Sequence, residues 1–245
     1  RVHMSAATVV NCQRPGTVLD LQSSISAISA SPDQRYVAVG GRDVFRTIRI
    51  GGDSLHEQRN LRVQRGNMTF SVTDLQWHRR SPSLIATSAP NASIIIWDLA
   101  RRGAGKPLQV QVWKQGMGNH QRVAYRIDWS PHDDNTLLTA SQDMTAKLWD
   151  QRSKKPCVAT FKPFPKAGAM LDVQYSPHLS NCFATVAEKG EAHVWDLRIE
   201  KRALCAFTAH VAGGIFCVDW HPTKRLRLAT GARDHMVKVW DLARG

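Results

Sequence analysis

Short apolar runs recur along the chain and are separated by turns rich in Pro, Gly, Ser and Asp. Runs of this length predict β-strands, and no segment keeps the 3.6-residue apolar spacing of a long amphipathic helix. Prolines stand in turns such as Ser31-Pro32-Asp33 and His221-Pro222-Thr223, where they leave strand ladders intact. The pattern therefore predicts an all-β protein.

The strand pattern repeats. Four segments end in Trp-Asp, at Trp97, Trp149, Trp195 and Trp240, with steps of 52, 46 and 45 residues between the tryptophans. Each is preceded by an apolar strand that holds Asp or Gln next to an aromatic residue, and then by a strand of small residues. An earlier copy, at residues 25–43, has the same order without the Trp-Asp. The chain thus carries five copies of one unit.

A single unit of this kind leaves one face of its sheet bare, so neighbouring units must cover it. Radial stacking of four-stranded sheets does this, which predicts five blades of a β-propeller. The predicted blades span residues 21–50, 72–99, 123–150, 170–197 and 215–242.

These residues resemble the WD-repeat propellers, and the resemblance covers almost the whole chain. In that family a buried chain of hydrogen bonds joins Trp, Ser or Thr, His and Asp within a blade, because buried polar groups must be paired. The resemblance implies two such networks: His120, Thr139, Asp143 and Trp149; and His210, Thr230, Asp234 and Trp240. The second copy has Asn91 and the fourth has Lys189 at the Asp position, so we expect those blades to be looser or held differently.

The family most often has about seven blades, so we expect further blades, either in the same protein on the C-terminal side or in a partner chain. An open ring would leave sheet edges unpaired, which natural proteins avoid. A closed ring of five blades is the less favoured alternative.

The recurring His, Asp and Thr invite a comparison with a catalytic triad. Their recurrence at matched repeat positions favours a structural role instead, because a nucleophile site occurs once, in a pocket. No metal-ligand spacing or phosphate-binding Gly loop stands out in the sequence. We therefore expect a non-enzymatic chain without cofactor or metal.

The formal net charge is +13, which suits an acidic protein, an anionic membrane surface or nucleic acid. Basic residues concentrate after the Trp-Asp dipeptides, on turns that propeller topology places on one face. The candidate partner-binding residues are Arg101, Arg102, Arg152, Lys154, Lys155, Arg198, Lys201 and Arg202, with Lys106, Arg79, Arg80, Lys224 and Arg225 expected on the same face. The alternative is that these charges merely collect in solvated loops. Direct binding of nucleic acid is disfavoured, because no recognition motif is present.

Three stretches narrow the resemblance: residues 27–50, 60–78 and 209–241. They are similar to the N-terminal propeller of the WD-repeat subunit of the SEA/GATOR complex, the fungal "restriction of telomere capping" protein and its animal WD-repeat counterpart. The resemblance implies a non-catalytic scaffold that docks other subunits and relays amino-acid availability to TOR kinase at the vacuole or lysosome surface. Family members also carry a C-terminal RING-type zinc domain, which these residues do not include.

Two other functions stay open. Trp149-Asp150-Gln151-Arg152 and Trp195-Asp196-Leu197-Arg198 match the short Trp-Asp-x-Arg box of substrate receptors of cullin-type ubiquitin ligases, although the box is common among WD proteins. A nucleic-acid-associated WD-repeat protein is the second alternative.

The setting is expected to be cytoplasmic. No apolar run approaches a membrane span, and the first residues lack the apolar core of a secretory signal. Five cysteines without a C-x-x-C pair indicate free thiols in a reducing compartment.

Overall fold

A computed structural model describes residues 18–51, 54–61, 71–101, 109–116, 118–163 and 167–244 of the chain. Regular structure in these residues consists of antiparallel strands and one 3-10 turn, Leu242–Arg244. The Asn60–His78 stretch is described only at 60–61 and 71–78, so most of that motif lies outside the described residues.

The strands form five sheets, here called blades 1 to 5. Blade 1 holds β1 (Ile25–Ala30), β2 (Tyr36–Gly41), β3 (Phe45–Ile50) and β4 (Leu55–Asn60). Blade 2 holds β5 (Asp74–Trp77), β6 (Leu84–Ser88), β7 (Ile94–Asp98) and β8 (Gln109–Trp113). Blade 3 holds β9 (Ala124–Trp129), β10 (Thr136–Ser141), β11 (Ala146–Asp150) and β12 (Cys157–Phe161). Blade 4 holds β13 (Met170–Tyr175), β14 (Cys182–Ala187), β15 (Glu191–Asp196) and β16 (Cys205–Thr208). In the described part, blade 5 holds β17 (Ile215–Trp220), β18 (Arg227–Ala232) and β19 (Val237–Asp241).

Within each blade the strands pair in chain order, each antiparallel to the next. The pairing of first and second strands shifts register near one end in four of the blades, for example between Met170 and Asp172 and between Ile215 and Cys217. An irregularity of this kind increases the local twist of a strand. The same up-and-down meander with the same irregularity thus recurs along the chain.

The apolar core lies between blades rather than inside any one of them. First strands of successive blades lie side by side, β1 next to β5, then β9, β13 and β17. Each of four buried clusters draws on two neighbouring blades; one joins Phe161 of blade 3 to Phe183 and Trp195 of blade 4, with Phe161 and Phe183 edge to face at 4.8 Å. This arrangement confirms the predicted all-β WD-repeat propeller.

Blade 1 lacks the Trp-Asp dipeptide, and part of its apolar surface packs against the segment that precedes it in the chain. Its buried residues Val39, Val44 and Ile48 pack against Leu21 and Leu19, which precede the first strand. The segment before β1 therefore covers part of the apolar face of this blade.

No helix in the described ranges is long and apolar enough to cross a membrane. The cysteines that the structure describes, Cys157, Cys182, Cys205 and Cys217, are free thiols.

The turn between β14 and β15 depends on a glycine. Gly190 has φ +81°, a left-handed conformation that costs other residues about 1–3 kcal/mol. Its carbonyl accepts the backbone N–H groups of Ala209 (2.9 Å) and His210 (3.0 Å), and a Cβ at this position would overlap the carbonyl oxygen of His210. The loop that enters blade 5 therefore passes directly over Gly190.

We expect Gly190→Ala to lower the free energy of unfolding by at least about 1–3 kcal/mol, from backbone strain and from displacement of this loop. Urea denaturation followed by tryptophan fluorescence measures the change. Gly116→Ala is the matched control, because a Cβ there meets no atom within 4 Å. Equal stability of the two variants would contradict this account.

Candidate functional site

Blade 3 contains a buried chain of hydrogen bonds. The Trp149 indole Nε1 donates to Thr139 Oγ1 at 2.7 Å. His120 Nε2 lies 2.6 Å from the same hydroxyl, and His120 Nδ1 lies 2.8 Å from Asp143 Oδ2. Because an ionised carboxylate can only accept, His120 Nδ1–H donates to Asp143, and the unprotonated Nε2 accepts the proton of the Thr139 hydroxyl. The four residues are thus brought together around a neutral imidazole.

The protonation states of this chain follow from its surroundings. Burial lowers the pKa of His120, which keeps the ring neutral. Burial would raise the pKa of Asp143, but hydrogen bonds from His120 and Thr145 hold it well below its usual range. Charge is therefore confined to the aspartate at the edge of the blade.

Blade 5 repeats the geometry. Trp240 Nε1 donates to Thr230 Oγ1 at 2.9 Å, and His210 Nε2 lies 2.8 Å from that hydroxyl. His210 Nδ1 is 2.7 Å from Asp234 Oδ2, and this hydrogen bond lowers the pKa of Asp234. The structure therefore assembles both sets of four residues in the same way.

Blades 2 and 4 keep only the inner half of the network. Trp97 Nε1 donates to Thr87 Oγ1 and Trp195 Nε1 to Thr185 Oγ1, both at 2.9 Å. In blade 2, Asn91 Oδ1 accepts the backbone N–H of Ser93 at 3.1 Å and so closes the turn without a carboxylate. The tryptophan–threonine bond is thus common to the four Trp-Asp blades.

Blade 4 buries a different histidine. His193 stacks on Trp195, with ring centroids 5.8 Å apart, and its Nδ1 has no hydrogen-bond partner among the described residues. Burial lowers the pKa of His193 to about 4. This residue fills space beside the tryptophan as a neutral ring.

The His, Thr and Asp groups are poorly placed for catalysis. His120 and Thr139 are both fully buried, and the hydroxyl already serves the indole and the imidazole. The described ranges contain no group of three or more His, Cys, Asp or Glu residues that could hold a metal ion. The arrangement joins the turns and strands of one blade.

Neighbouring blades are joined by a row of hydrogen bonds that the repeat analysis did not anticipate. On the first strands of blades 1 to 4, the side chain at the next-to-last position accepts the backbone N–H of the aromatic residue that ends the first strand of the next blade. The pairs are Ser29 with Trp77 (2.9 Å), Gln76 with Trp129 (3.3 Å), Asp128 with Tyr175 (2.7 Å) and Gln174 with Trp220 (2.7 Å). In blades 2, 3 and 4 the sequence shows this position as the recurring Asp or Gln beside the aromatic residue, whereas Ser29 of blade 1 precedes an alanine.

Two more carboxylates reinforce this row. Asp74 Oδ2 accepts the N–H of Ile127 and Asp172 Oδ2 accepts that of Val218, each at 2.9 Å. The guanidinium of Arg126 lies between them, 3.8 Å from Asp74 and 3.9 Å from Asp172. Burial raises the pKa of Asp74 to about 6 and that of Asp172 to about 7. Burial likewise raises the pKa of Asp128 to about 6.

We call one end of the blades the Trp-Asp face. It carries the turns that follow the Trp-Asp dipeptides and the turns between first and second strands. In blade 3 these turns meet where Arg152 Nη2 pairs with Asp150 at 2.8 Å and with Asp133 at 2.9 Å.

Three of the candidate arginines on this face are engaged within their own blades. Besides Arg152, Arg198 pairs with Asp196 at 2.6 Å and Arg101 lies 4.0 Å from Asp98. The Arg198 hydrogen bonds lower the pKa of Asp196. These arginines therefore serve first to fix the turns.

Two further arginines bridge blades. Arg79 pairs with the buried Asp128 and Arg80 with Asp134, each at 2.8 Å. His78 Nε2 lies 2.9 Å from the Asp134 carbonyl oxygen and joins the same two turns. Part of the positive charge on the face is thus used to hold blade 2 to blade 3.

The remaining candidates are exposed. Within the described ranges no ion pair involves Lys154, Lys155, Lys201 or Arg202, and the same holds for Lys224 and Arg225. Arg102 and Lys106 lie outside the described residues.

Comparison with known proteins identifies the repeat. The family model of the WD domain, G-beta repeat, matches residues 111–150 and 201–241. The first match runs from within β8 of blade 2 through β9, β10 and β11 of blade 3, and the second runs from the turn before β16 of blade 4 through the three strands of blade 5.

Longer matches cover nearly the whole chain. The GATOR2 complex protein WDR24 of Danio rerio is 38% identical over 224 residues, 91% of this chain and 28% of that protein. WDR24 of Homo sapiens is 37% identical over 91% of this chain and 27% of its own length. WDR24 of Dictyostelium discoideum is 37% identical over 94% of this chain and 22% of its own length. The chain therefore spans about a quarter of the length of these relatives.

Removing the Thr139 hydroxyl by Thr139→Val leaves both His120 Nε2 and Trp149 Nε1 buried without a partner. Thr185→Val in blade 4 is the matched control, because that hydroxyl serves Trp195 and no histidine. We expect Thr139→Val to lower the free energy of unfolding by about 1–3 kcal/mol more than Thr185→Val. Equal losses in chemical denaturation would show that the histidine adds nothing.

The buried carboxylates make stability depend on pH. Asp172 has a folded-state pKa of about 7, above the pKa of an aspartate in an unfolded chain. The protonated carboxyl therefore stabilises the fold fully below about pH 4, and this stabilisation is lost as the pH rises through 7. Asp172→Asn keeps an acceptor for Val218 and cannot ionise. We expect it to gain stability relative to the parent protein between pH 4 and 8, on the order of 2–4 kcal/mol. A difference in unfolding free energy that does not change with pH would contradict this prediction.

Proposed function

Because this chain is a WD-repeat β-propeller related to the GATOR2 complex protein WDR24, we propose that it is a non-catalytic scaffold subunit of a GATOR2-type (SEA-type) complex. The observation that carries the proposal is the 36–38% identity to the proteins of Danio rerio, Homo sapiens, Drosophila melanogaster and Dictyostelium discoideum, which extends across 91–94% of the chain and so reaches all five blades. In this role the chain binds other protein subunits and contributes to TOR kinase signalling in response to amino acids.

The blade architecture supports a scaffold role. Hydrogen bonds fix the turns within each blade, and side chains on the first strands fix each blade to the next. Such cross-linking holds surface turns in fixed positions, which suits docking of large partners. The buried His, Thr and Asp side chains are hydrogen-bonded to one another and stabilise the blade, and we propose no catalytic role for them.

The cellular setting follows from the complex. We place the chain in the cytoplasm at the vacuole or lysosome surface, to which it is recruited through partner subunits. The exposed cations of the Trp-Asp face give it an attraction for acidic protein or for an anionic membrane surface, and this attraction weakens as salt rises.

A substrate receptor of a cullin-type ubiquitin ligase is the alternative that the Trp-Asp-x-Arg boxes favour. In both boxes the arginine binds the aspartate of its own box, as Arg152 does with Asp150 and Arg198 with Asp196. The Trp-Asp-x-Arg box can therefore be explained by its role in stabilising the turn, and binding of a ligase adaptor is not needed to explain it. For this reason we favour the ligase function less.

Affinity purification of the full-length protein tests the two readings. We expect GATOR2-type subunits to co-purify and the double variant Arg152→Ala/Arg198→Ala to retain them, because these arginines form ion pairs within their own blades. Mass spectrometry of the recovered proteins gives the measurement. Recovery of a cullin adaptor that the double variant loses would favour the ligase function, and recovery of neither set would reject the scaffold proposal.

A further inference from the structure

Blades 4 and 5 carry a group of cations on the Trp-Asp face that has no structural use in the described ranges. Lys201 and Arg202 lie in the turn between β15 and β16, and Lys224 and Arg225 lie in the turn between β17 and β18. All four side chains are exposed, and no ion pair in those ranges involves them. This contrasts with Arg79, which is held by an aspartate of the next blade.

These turns border one continuous surface. His178 Nε2 of blade 4 lies 2.9 Å from the carbonyl oxygen of His221 in blade 5, which joins the two turns between first and second strands. The Leu197 backbone N–H donates to the Asn181 carbonyl oxygen at 2.7 Å, which joins the turn after β15, where Lys201 and Arg202 lie, to the turn between the first and second strands of blade 4. We call the surface the blade 4–5 basic patch: Arg198, Ile199, Lys201, Arg202, Leu204, Lys224, Arg225 and Leu226.

Apolar side chains are interspersed with the charges. Ile199 and Leu226 are each 37% exposed and Leu204 is 54% exposed, and each lies within two residues of a cation in the chain. Exposed apolar groups among cations are typical of a protein interface, whereas a site for nucleic acid is more polar and more uniformly positive. Glu200 stands between Ile199 and Lys201 in the chain, and its carboxylate accepts the backbone N–H of Thr160 at 3.5 Å.

We propose that the blade 4–5 basic patch binds an acidic peptide segment that also carries apolar side chains and belongs to a partner protein. The cations attract the acidic residues over a distance set by the salt concentration, and the three apolar side chains bury apolar residues of the segment on contact. The inference rests on the proposed function, because it assumes that the chain acts by binding other proteins, and it names the chemistry of one such partner.

The test uses the full-length protein and two short fluorescent peptides of equal negative charge. One peptide contains Glu and Leu, and the other replaces Leu by Ser. We expect the Glu/Leu peptide to bind more tightly in fluorescence anisotropy. Lys201→Glu/Arg202→Glu should weaken its binding on the order of tenfold or more at low salt. Ile199→Ser/Leu226→Ser should weaken binding of the Glu/Leu peptide and leave binding of the Glu/Ser peptide unchanged.

Lys114→Glu/Arg122→Glu is the matched control. It makes the same change of net charge with two exposed residues near the opposite end of the blades, in the connection from blade 2 to blade 3. It should leave peptide binding unchanged, because the cations of the patch are intact. Equal weakening by the control and by Lys201→Glu/Arg202→Glu would show a general effect of net charge and overturn the proposal.

Two other outcomes also overturn it. Unchanged binding of the Glu/Leu peptide in both patch variants would remove the patch as its site. Equal or tighter binding of duplex DNA, or of vesicles that contain phosphatidylserine, with the same sensitivity to Lys201→Glu/Arg202→Glu, would assign the patch to another class of ligand.

The same proteins separate this inference from the proposed function. If the parent protein co-purifies with GATOR2-type subunits but binds neither peptide, only the inference on the patch falls. If no such subunits co-purify with the parent protein, the proposed function is wrong, irrespective of whether the peptides bind.

Discussion

In the part of the chain that the structure describes, four of the five apolar clusters are shared between neighbouring blades, and the rest of the structure depends on that constraint. A twisted four-stranded sheet with apolar side chains on both faces must be covered on both. The four shared clusters meet this need by joining each blade to its neighbour. Contacts along the outer strands add to them, as where Gln111 Nε2 of blade 2 donates to the Gln151 carbonyl oxygen of blade 3 at 2.8 Å.

Packing against a neighbour brings polar backbone groups into the interior, and the side chains of the first strands satisfy them. Asp128 illustrates the cost and the benefit: it is buried, its pKa is raised, and it still binds both Arg79 and the backbone of the next blade. An acceptor of this kind specifies which sheet lies next and in what register. Gln76 and Gln174 do the same without ionising. Blade order is thus enforced by hydrogen bonds as well as by apolar area.

In the described ranges, the basic residues of the Trp-Asp face fall into two groups, those paired with aspartates and those exposed to solvent. Arg79, Arg152 and Arg198 belong to the framework, because each neutralises an aspartate that closes a turn or a blade contact. Lys201 and Lys224 remain exposed to solvent and so are available to a partner. A count of basic residues on a face therefore overstates its capacity for binding, and the pairing of each cation decides what remains.

The sequence by itself determined the strand content and the repeat, because these depend on the order of residues within one blade. The resemblance to WD-repeat propellers named His120 with Thr139 and Asp143 in advance, whereas the tryptophan–threonine bonds of blades 2 and 4 came from the structure. Contacts between blades could not, since residues such as Asp74 and Ile127 are 53 positions apart and only the packing angle of the sheets brings them together. The tertiary structure likewise decided which arginines are neutralised, because the partner of Arg80 is Asp134 in the next blade. The repeat pattern within the sequence determines the strands of each blade. The contacts between blades determine which charged surface groups are paired and which can bind a partner.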